Sequence, residues 1–596
     1  MGLALKNILL YAGVASAVRW AGAPNDQKPL DQPVGKEGTL KTSPPAQKPN
    51  VIFILTDDQD IEMNSLEYMP FVQKHLLDKG TLFRNHFVTT ALCCPSRVSL
   101  WTGRHSHNTN VTDVNPPYGG YPKFVAQGFN ENFLPVWLQR AGYNTYYAGK
   151  LFNAHTTSNY NNPHVKGFTT SDFLLDPWTY NYLNPAYQRD HEAPIIYHGQ
   201  HTIDVLIDKS NALLDDAIAS EKPFFLALAP VAPHSNVEFE GDISDINDID
   251  KVTFSEPIPL KRHEHLFPDA KVPRTPHFNP DKPSGVNWIA ERPQLNKTWV
   301  DHNDYYYRQR LRALQGVDEL VDGIFKRLEE NGQLENTYIF YTSDNGFHVS
   351  QHRLNPGKEC GFEDDIRVPF IVRGPGIAEG AVSKAVTTHI DVAPTLFEIA
   401  GIPLREDFDG LAIPLEKINQ ERKRHEHVNV EYWGFAVEEG SYGGTLFWNN
   451  TYKALRIIGE NYNLYYSVWC NNEHQLYDLT SDPFQLRNIY PGYANHNSSI
   501  TILGAPLIRV IDRLDSLLLV LKSCKGTVCV KPWQKLHPDG DVDVFPEALQ
   551  QQYDTFYQHQ ESVRFDRCEA GYIIDAEGPQ DALSYTRNGI HWSHWV

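Results

Sequence analysis

Two stretches rich in oxygen donors and one compact thiol motif are the residues most able to do chemistry. Asp57-Asp58 follows the apolar run Asn50-Val-Ile-Phe-Ile-Leu-Thr, and Asp344-Asn345-Gly346 follows Tyr338-Ile-Phe-Tyr341. Taken alone, Asp57-Asp58 suits a helix N-cap and Asp344-Asn345-Gly346 an ordinary turn. Taken together, three carboxylates and an amide are hard ligands of the kind calcium prefers, in a set poor in the histidines that zinc prefers. The sharpest local pattern is Cys93-Cys94-Pro95-Ser96-Arg97, followed by Leu100-Trp-Thr-Gly-Arg104. His234 closes Pro230-Val-Ala-Pro-His after a further apolar run, Phe224-Phe-Leu-Ala-Leu-Ala. A general acid working near neutral pH is usually a histidine, which makes His234 the candidate proton donor. Lys150 in Ala-Gly-Lys and Lys358 in Pro-Gly-Lys read by themselves as surface charges.

The three apolar runs predict strands buried on both faces, as in a parallel sheet. Open α/β sheets bind ligands at the carboxyl ends of their strands, where these polar residues fall. Met69, Val72, Leu76 and Leu77 predict a helix over 66–79. Leu314, Val317, Val321, Ile324 and Leu328 predict one over 311–330, stopped by Asn331-Gly332. Strand, helix and strand with polar strand ends predict an α/β, doubly wound sheet flanked by helices. The Pro-rich, charged segment 235–300 has no period and reads as an excursion over the surface, near the mouth of the site. After about residue 425, short alternating runs (His427–Tyr432, Thr451–Ile458, Gln475–Leu479) predict a smaller C-terminal antiparallel subdomain. The division is a catalytic domain over 49–424 and a C-terminal α+β subdomain over 425–596. His425 and His427 alternate along a strand and read as a solvated face, as do His263 and His265.

The chain has 596 residues, 41% of them hydrophobic, ample for a large core and unlike a disordered regulator. Its 53 basic and 73 acidic residues give a net charge of −20, which argues against nucleic acid as a partner. Lys6 precedes an apolar run, Ile8–Val18, too short to span a bilayer and followed by small residues. Residues 1–23 are therefore read as a secretory signal peptide and 24–48 as a linker. Asn110, Asn296, Asn449 and Asn497 begin glycosylation sequons, in keeping with a secreted or cell-wall (periplasmic-space) protein with no membrane span. Seven cysteines do not make a disulfide scaffold. Setting Cys93 aside leaves an even six; Cys524 and Cys529 are close enough for a local loop, and Cys94 with Cys360 is a further possible pair.

The pentapeptide and its Thr102-Gly-Arg tail resemble the sulfatase family, whose signature is Cys-x-Pro-Ser-Arg followed shortly by Thr-Gly-Arg. The resemblance runs from about residue 49 to 492. It implies an alkaline-phosphatase-like fold: a large mixed, mostly parallel sheet flanked by helices, with a smaller C-terminal antiparallel sheet. It implies that a dedicated formylglycine-generating enzyme oxidises Cys93 to formylglycine, and that Cys94 holds the variable position. It matches one calcium ion to Asp57, Asp58, Asp344, Asn345 and the modified Cys93. Lys150, His234 and Lys358 match catalytic, substrate-binding positions, and Arg97 matches a residue holding the nucleophile. Thr388–Thr395 and Leu476–Pro483 look like scaffold landmarks. One departure stands out: many sulfatases carry a histidine two residues after the lysine, where this chain has Phe152. His155 is a possible substitute; His105 and His107 are weaker ones. The resemblance is closest to the branch of glucosamine 6-O-sulfatases and secreted fungal or algal arylsulfatases.

The chemistry accounts for these residue types. Sulfate esters hydrolyse slowly, so both a strong nucleophile and charge stabilisation are needed. A hydrated formylglycine has two geminal hydroxyls, one to attack sulfur and one whose deprotonation expels sulfate. The base for that second step has no assigned residue; Asp344 is a possible helper if one oxygen is free. The expected function is an arylsulfatase acting on small aromatic esters, since the net charge and the lack of a basic run suit polyanions poorly. The alternative substrate is a sulfated sugar such as glucosamine 6-sulfate. A phosphatase or phosphodiesterase using Thr or Ser and two zinc ions, and a non-catalytic binding protein, are competing readings that the cysteine motif and donor set disfavour.

Overall fold

The computed structural model describes residues 48–239, 252–415, 424–493, 496–497, 499–586 and 592–594. The expected signal peptide and, but for Lys48, the linker lie outside the described residues. The three apolar runs form β1 (Asn50–Thr56), β7 (Phe224–Ala229) and β10 (Thr337–Ser343), buried along their whole length. They lie side by side at the centre of a ten-stranded sheet. The other members are β2 (Thr81–Phe87), β3 (Asn144–Lys150), β4 (Thr170–Leu174), β5 (Ala186–Arg189), β6 (Ile195–Ile196), β11 (Phe370–Arg373) and β12 (Ala381–Thr388). The order is β12-β2-β11-β10-β1-β7-β3-β4-β5-β6. The central run β10-β1-β7-β3-β4 is parallel, and β11 and β5 bring in antiparallel pairs.

Side chains of β1 alternate between two cores, as a period of two requires. Phe53 and Leu55 pack with Trp101, Trp137 and Leu396 on one face. Ile52 and Ile54 pack with Leu206, Leu314, Val317 and Ile324 on the other. Helices on both faces make the sheet doubly wound. The long helix spans Lys297–Glu330, starting well before the apolar stripe at 311, because Asn296 caps it by accepting the Trp299 amide hydrogen. The expected helix over 66–79 is instead three short turns, Ser65–Tyr68, Pro70–Val72 and Gln73–Leu77. Pro70 starts a new turn there, yet Met69, Val72 and Leu76 are buried as the pattern required.

The 235–300 segment contributes a hairpin, β8 (Asn236–Phe239) paired with β9 (Val252–Ser255). Beyond it come β13 (His427–Tyr432), the small pair β14 (Ala436–Val437) and β15 (Leu446–Phe447), then β16 (Tyr452–Gly459), β17 (Tyr462–Trp469) and β18 (His474–Asp478). Strands β13, β16, β17 and β18 form an antiparallel sheet in that order. One face packs on the helix Leu507–Leu521. The other shares a cluster with Phe87, Cys360 and Ile366.

That double burial corrects the reading of His427 as solvated. Its ring is 5% exposed and bonds through Nε2 to the Cys529 carbonyl at 2.8 Å. His425 is half-buried against it. His263 is also buried, its Nε2 2.9 Å from Glu319 of the long helix, whereas His265 is exposed. The disulfides are Cys470–Cys568 and the short loop Cys524–Cys529. Cys94 and Cys360 are not paired; each is a buried free thiol packed in a different core cluster.

Candidate active site

The carboxyl ends of β1, β3, β7 and β10 converge on Cys93. After β1 the chain turns sharply, and Asp58 takes a left-handed conformation with φ +67°, which aspartate tolerates better than most residues. Cys93 opens the buried helix Cys93–Thr102. Gly103 ends that helix with φ +69°, where a Cβ would strike Phe408. At the end of β3, Gly149 has φ +107°, and a Cβ there would overlap the Ala229 carbonyl of β7. The glycines of Thr-Gly-Arg and Ala-Gly-Lys are thus packing requirements that seat the neighbouring charges.

Arg97 is fully buried and ties three strand ends together. Its Nε donates to Asp344 Oδ2 at 2.8 Å, Nη1 to the Lys150 carbonyl at 2.5 Å and Nη2 to Asp57 Oδ2 at 3.3 Å. Lys150 Nζ donates to Asp57 Oδ2 at 2.7 Å. Burial pushes the Asp57 carboxyl up, but Lys150 and Arg97 outweigh it and hold it below its ordinary value. Lys358 Nζ bonds both Asp58 oxygens, lies 3.5 Å from Cys93 Sγ and sits 3.3 Å from Glu439. Cys93 Sγ is 3.4 Å from Asp57 Oδ1. Burial drives the thiol's pKa well above its ordinary value despite the two lysines, so the unmodified side chain stays protonated at neutral pH.

His234 donates from Nδ1 to the Ser235 carbonyl at 2.8 Å, which makes Nε2 the bare nitrogen of the neutral ring. Nε2 is 3.6 Å from Asp58, and the ring stacks on Tyr180 at 3.9 Å. Burial first, then the charge of Lys358, brings its pKa down to about 4.

Asp57, Asp58, Cys93 and His234 each offer a donor atom within 4.8 Å of the others. Asp344 and Asn345 join them through direct bonds: Asp58 N donates to Asp344 Oδ1 at 3.1 Å, and Asn345 Nδ2 donates to Asp58 Oδ1 at 2.7 Å. Asn345 Oδ1 is buried with no hydrogen-bond partner. A bare amide oxygen among three carboxylates is what a hard cation would satisfy, so these residues fit one. Asp57, Asp58, Asp344 and Glu439 against Arg97, Lys150 and Lys358 leave one surplus negative charge. A divalent cation would make the centre positive and receptive to an anionic ester.

Asp344 is poorly placed as a base: the amides of Asp58 and Asn345 fill Oδ1 and Arg97 bonds Oδ2, so the one acceptor position left, on Oδ2, is the one a cation would take. His155 does not replace the missing histidine. It is buried among Tyr121 and Phe173, its nitrogens unpaired, while Phe152 packs on Phe124. His105 and His107 stack on each other away from the cavity, and His107 is bound to Glu431.

Above Cys93 lies a cavity of about 220 Å³ whose walls are mostly apolar. Val237 and Phe239 of β8 and Val252 and Phe254 of β9 form one wall, and Tyr180, Tyr432, Trp433 and Phe435 continue it. Glu238 and Thr253, the alternate residues of the hairpin, are exposed. Tyr180 and Glu439 were not foreseen from the sequence. Neither belongs to a local pattern: Tyr180 sits in a turn, and Glu439 reaches Lys358 from the C-terminal part of the chain.

Comparison with known proteins gives the family and the fold. The family model for sulfatases matches residues 49–402, and that for the C-terminal part of N-sulphoglucosamine sulphohydrolase matches 356–507. An arylsulfatase of Volvox carteri is 38% identical over 549 residues, covering 88% of this chain and 82% of the relative. An N-acetylglucosamine-6-sulfatase of Capra hircus is 30% identical over 540 residues, covering 84% and 87%. A solved structure described as a complex with its substrate D-glucosamine-2-N,6-O-disulfate shares the fold with a TM-score of 0.61 at 22% identity, covering 75% of this chain and 94% of that one.

Proposed function

Since the chain belongs to the sulfatase family and is a sulfuric ester hydrolase, we propose that it is an arylsulfatase, releasing sulfate from small aromatic esters. The observation that carries this is the apolar cavity directly over Cys93. An aromatic ring gains from burial against Phe239, Phe254 and Phe435.

In this reading Cys93 is the position converted to formylglycine by a formylglycine-generating enzyme. Left unmodified, the buried thiol would be protonated and a poor nucleophile. Once hydrated, the modified residue supplies a nucleophilic hydroxyl and a second hydroxyl through which sulfate can be expelled. Asp57, Asp58, Asp344, Asn345 and the modified residue 93 would hold calcium, which when bound supplies positive charge for a sulfate oxygen and for the nucleophile. Lys150 and Lys358 neutralise the ester's remaining oxygens. Arg97 keeps Asp57 and Asp344 aligned by its three bonds. The negative charge of an incoming ester raises the proton affinity of His234, and its Nε2 then delivers that proton to the leaving oxygen.

The domain reading accompanies this: 49–424 carries the hydrolytic residues, and 425–596 supplies Trp433, Phe435 and Glu439 to the cavity. Secretion through the N-terminal signal belongs to the same reading, with glycans at Asn110, Asn296, Asn449 and Asn497. Asn296, Asn449 and Asn497 are exposed, and Asn110 is half-buried. No helix among the described residues is long and apolar enough to cross a membrane.

A second reading, a sulfatase of glucosamine 6-sulfate or a related sulfated sugar, draws on the relative named for that activity. Turnover of p-nitrophenyl sulfate compared with glucosamine 6-sulfate separates the two. A kcat/KM favouring the sugar by tenfold or more would replace the first reading with the second.

A further inference from the structure

Beneath the loop that follows Asn345 lies a second group of buried donors, apart from the strand ends. His277, His352 and Asp364 each present a donor atom within 4.8 Å of the other two. They are 6%, 1% and 2% exposed. They come from different stretches: His277 from the long excursion, His352 from the loop leading to Lys358, and Asp364 from the short helix Glu363–Ile366. The backbone fixes all three, since the His352 amide donates to the His277 carbonyl and the Phe347 amide to the Asp364 carbonyl, each at 2.8 Å.

The side chains are held but not satisfied. His352 stacks on Phe362 at 3.6 Å, and its Nδ1 bonds Ser284 Oγ at 2.7 Å. Its Nε2 has no partner, and neither has Nδ1 of His277. His277 Nε2 stands 3.3 Å from each Asp364 oxygen, beyond the 2.7–2.9 Å typical of a charge-assisted bond. A buried nitrogen left bare is costly; here two histidines and a carboxylate meet, so that a single ion could satisfy the open positions together. An imidazole fixed by a hydroxyl at one nitrogen and open at the other is the usual presentation of a metal-binding histidine.

Two other donor groups among the described residues cannot offer three open donors, although His105 Nδ1 is bare as well. In His348, Cys360 and Asp365, the carboxylate already accepts from His348 Nδ1 and the Cys360 amide. In His105, Cys524 and Cys529, both sulfurs belong to a disulfide.

We propose that His277, His352 and Asp364 bind a divalent transition-metal ion of the zinc class. Two imidazoles and one carboxylate suit such an ion, in contrast to the oxygen-only preference of calcium. The ion would pin the excursion that follows the β8–β9 hairpin to the loop carrying Lys358, a structural staple distinct from the strand-end site.

The test uses the full chain with calcium kept saturating. The protein is loaded with Co2+ or Zn2+, dialysed, and its bound metal counted by mass spectrometry; the cobalt form is also examined by visible absorption. The expected result is one retained equivalent, with cobalt ligand-field bands that zinc abolishes. His352→Phe, which keeps the stack on Phe362, and Asp364→Asn lose it, whereas Asp58→Asn keeps it. If both variants fold poorly, His277→Gln serves in their place. The proposal is overturned if wild-type protein retains no equivalent, if both variants retain it, or if Asp58→Asn abolishes it.

Discussion

The ammonium of Lys358 lies 2.7 Å from Oδ1 and 2.8 Å from Oδ2 of Asp58, so a single lysine engages both oxygens of one carboxylate. Burial pulls its pKa down, but the carboxylates of Asp58 and, next to it, Glu439 hold it well above its ordinary value. Lys358→Met removes a fixed positive charge that lines the cavity and, in the proposed reading, faces the ester. Steady-state kinetics should show kcat/KM falling by about 10²–10³-fold, the size of losing one preorganised donor. Calcium affinity, read by calorimetry, should not fall, because Asp58 loses only a competitor. A loss of calcium binding would show that Lys358 builds the cation site instead of facing the substrate.

Replacing Cys93 by alanine should abolish turnover while leaving the melting temperature within a few degrees. Peptide mass spectrometry of the wild type from its native source should find an aldehyde at position 93. An unmodified thiol in fully active protein would contradict the proposed nucleophile.

Stripping divalent ions with a chelator should remove activity, and calcium should restore it better than zinc, given the oxygen-only donor set of Asp57, Asp58, Asp344 and Asn345. Asn345→Leu should weaken calcium binding, since it deletes the bare amide oxygen. Equal restoration by zinc would argue for a different centre.

Phe254→Ala and Phe239→Ala each trim one wall of the cavity. Each should raise KM for p-nitrophenyl sulfate by roughly tenfold, within the ~1–3 kcal/mol expected of a lost apolar contact. The values for glucosamine 6-sulfate should change much less. Parallel losses on both substrates would show that the hairpin shapes the whole site and not the ring pocket.

Glu426 yields a prediction about pH. Burial raises its pKa from 4.5 to about 7, although Tyr462, Trp533 Nε1 and the Phe545 amide all donate to it. Between those values the folded protein keeps a proton that the unfolded chain has lost, so this group's contribution to stability declines as pH rises. Glu426→Gln is neutral throughout. Its melting temperature should exceed that of the wild type more at about pH 8 than at about pH 5, a change on the order of 3 kcal/mol. An unchanged gap would mean that Glu426 ionises normally in the fold.

The central strands were legible in the sequence because β1, β7 and β10 are buried on both faces and must read as unbroken apolar runs. Their polar ends follow from the rule that such sheets carry their chemistry at the carboxyl termini. The wall of the cavity was not legible. Val237-Glu-Phe and Val252-Thr-Phe each show one alternation, too little to announce a strand inside a charged, Pro-rich stretch. His263 and His427 were misread because their partners, Glu319 and the Cys529 carbonyl, lie far along the chain. The same distance hid Glu439 and the meeting of His277 with His352 and Asp364.

The hairpin that carries Val237, Phe239, Val252 and Phe254 is a single stretch of chain, whereas the residues gathered around Cys93 come from six separate stretches. Exchanging that one stretch would therefore reshape a wall of the cavity while leaving the charges around Cys93 in place.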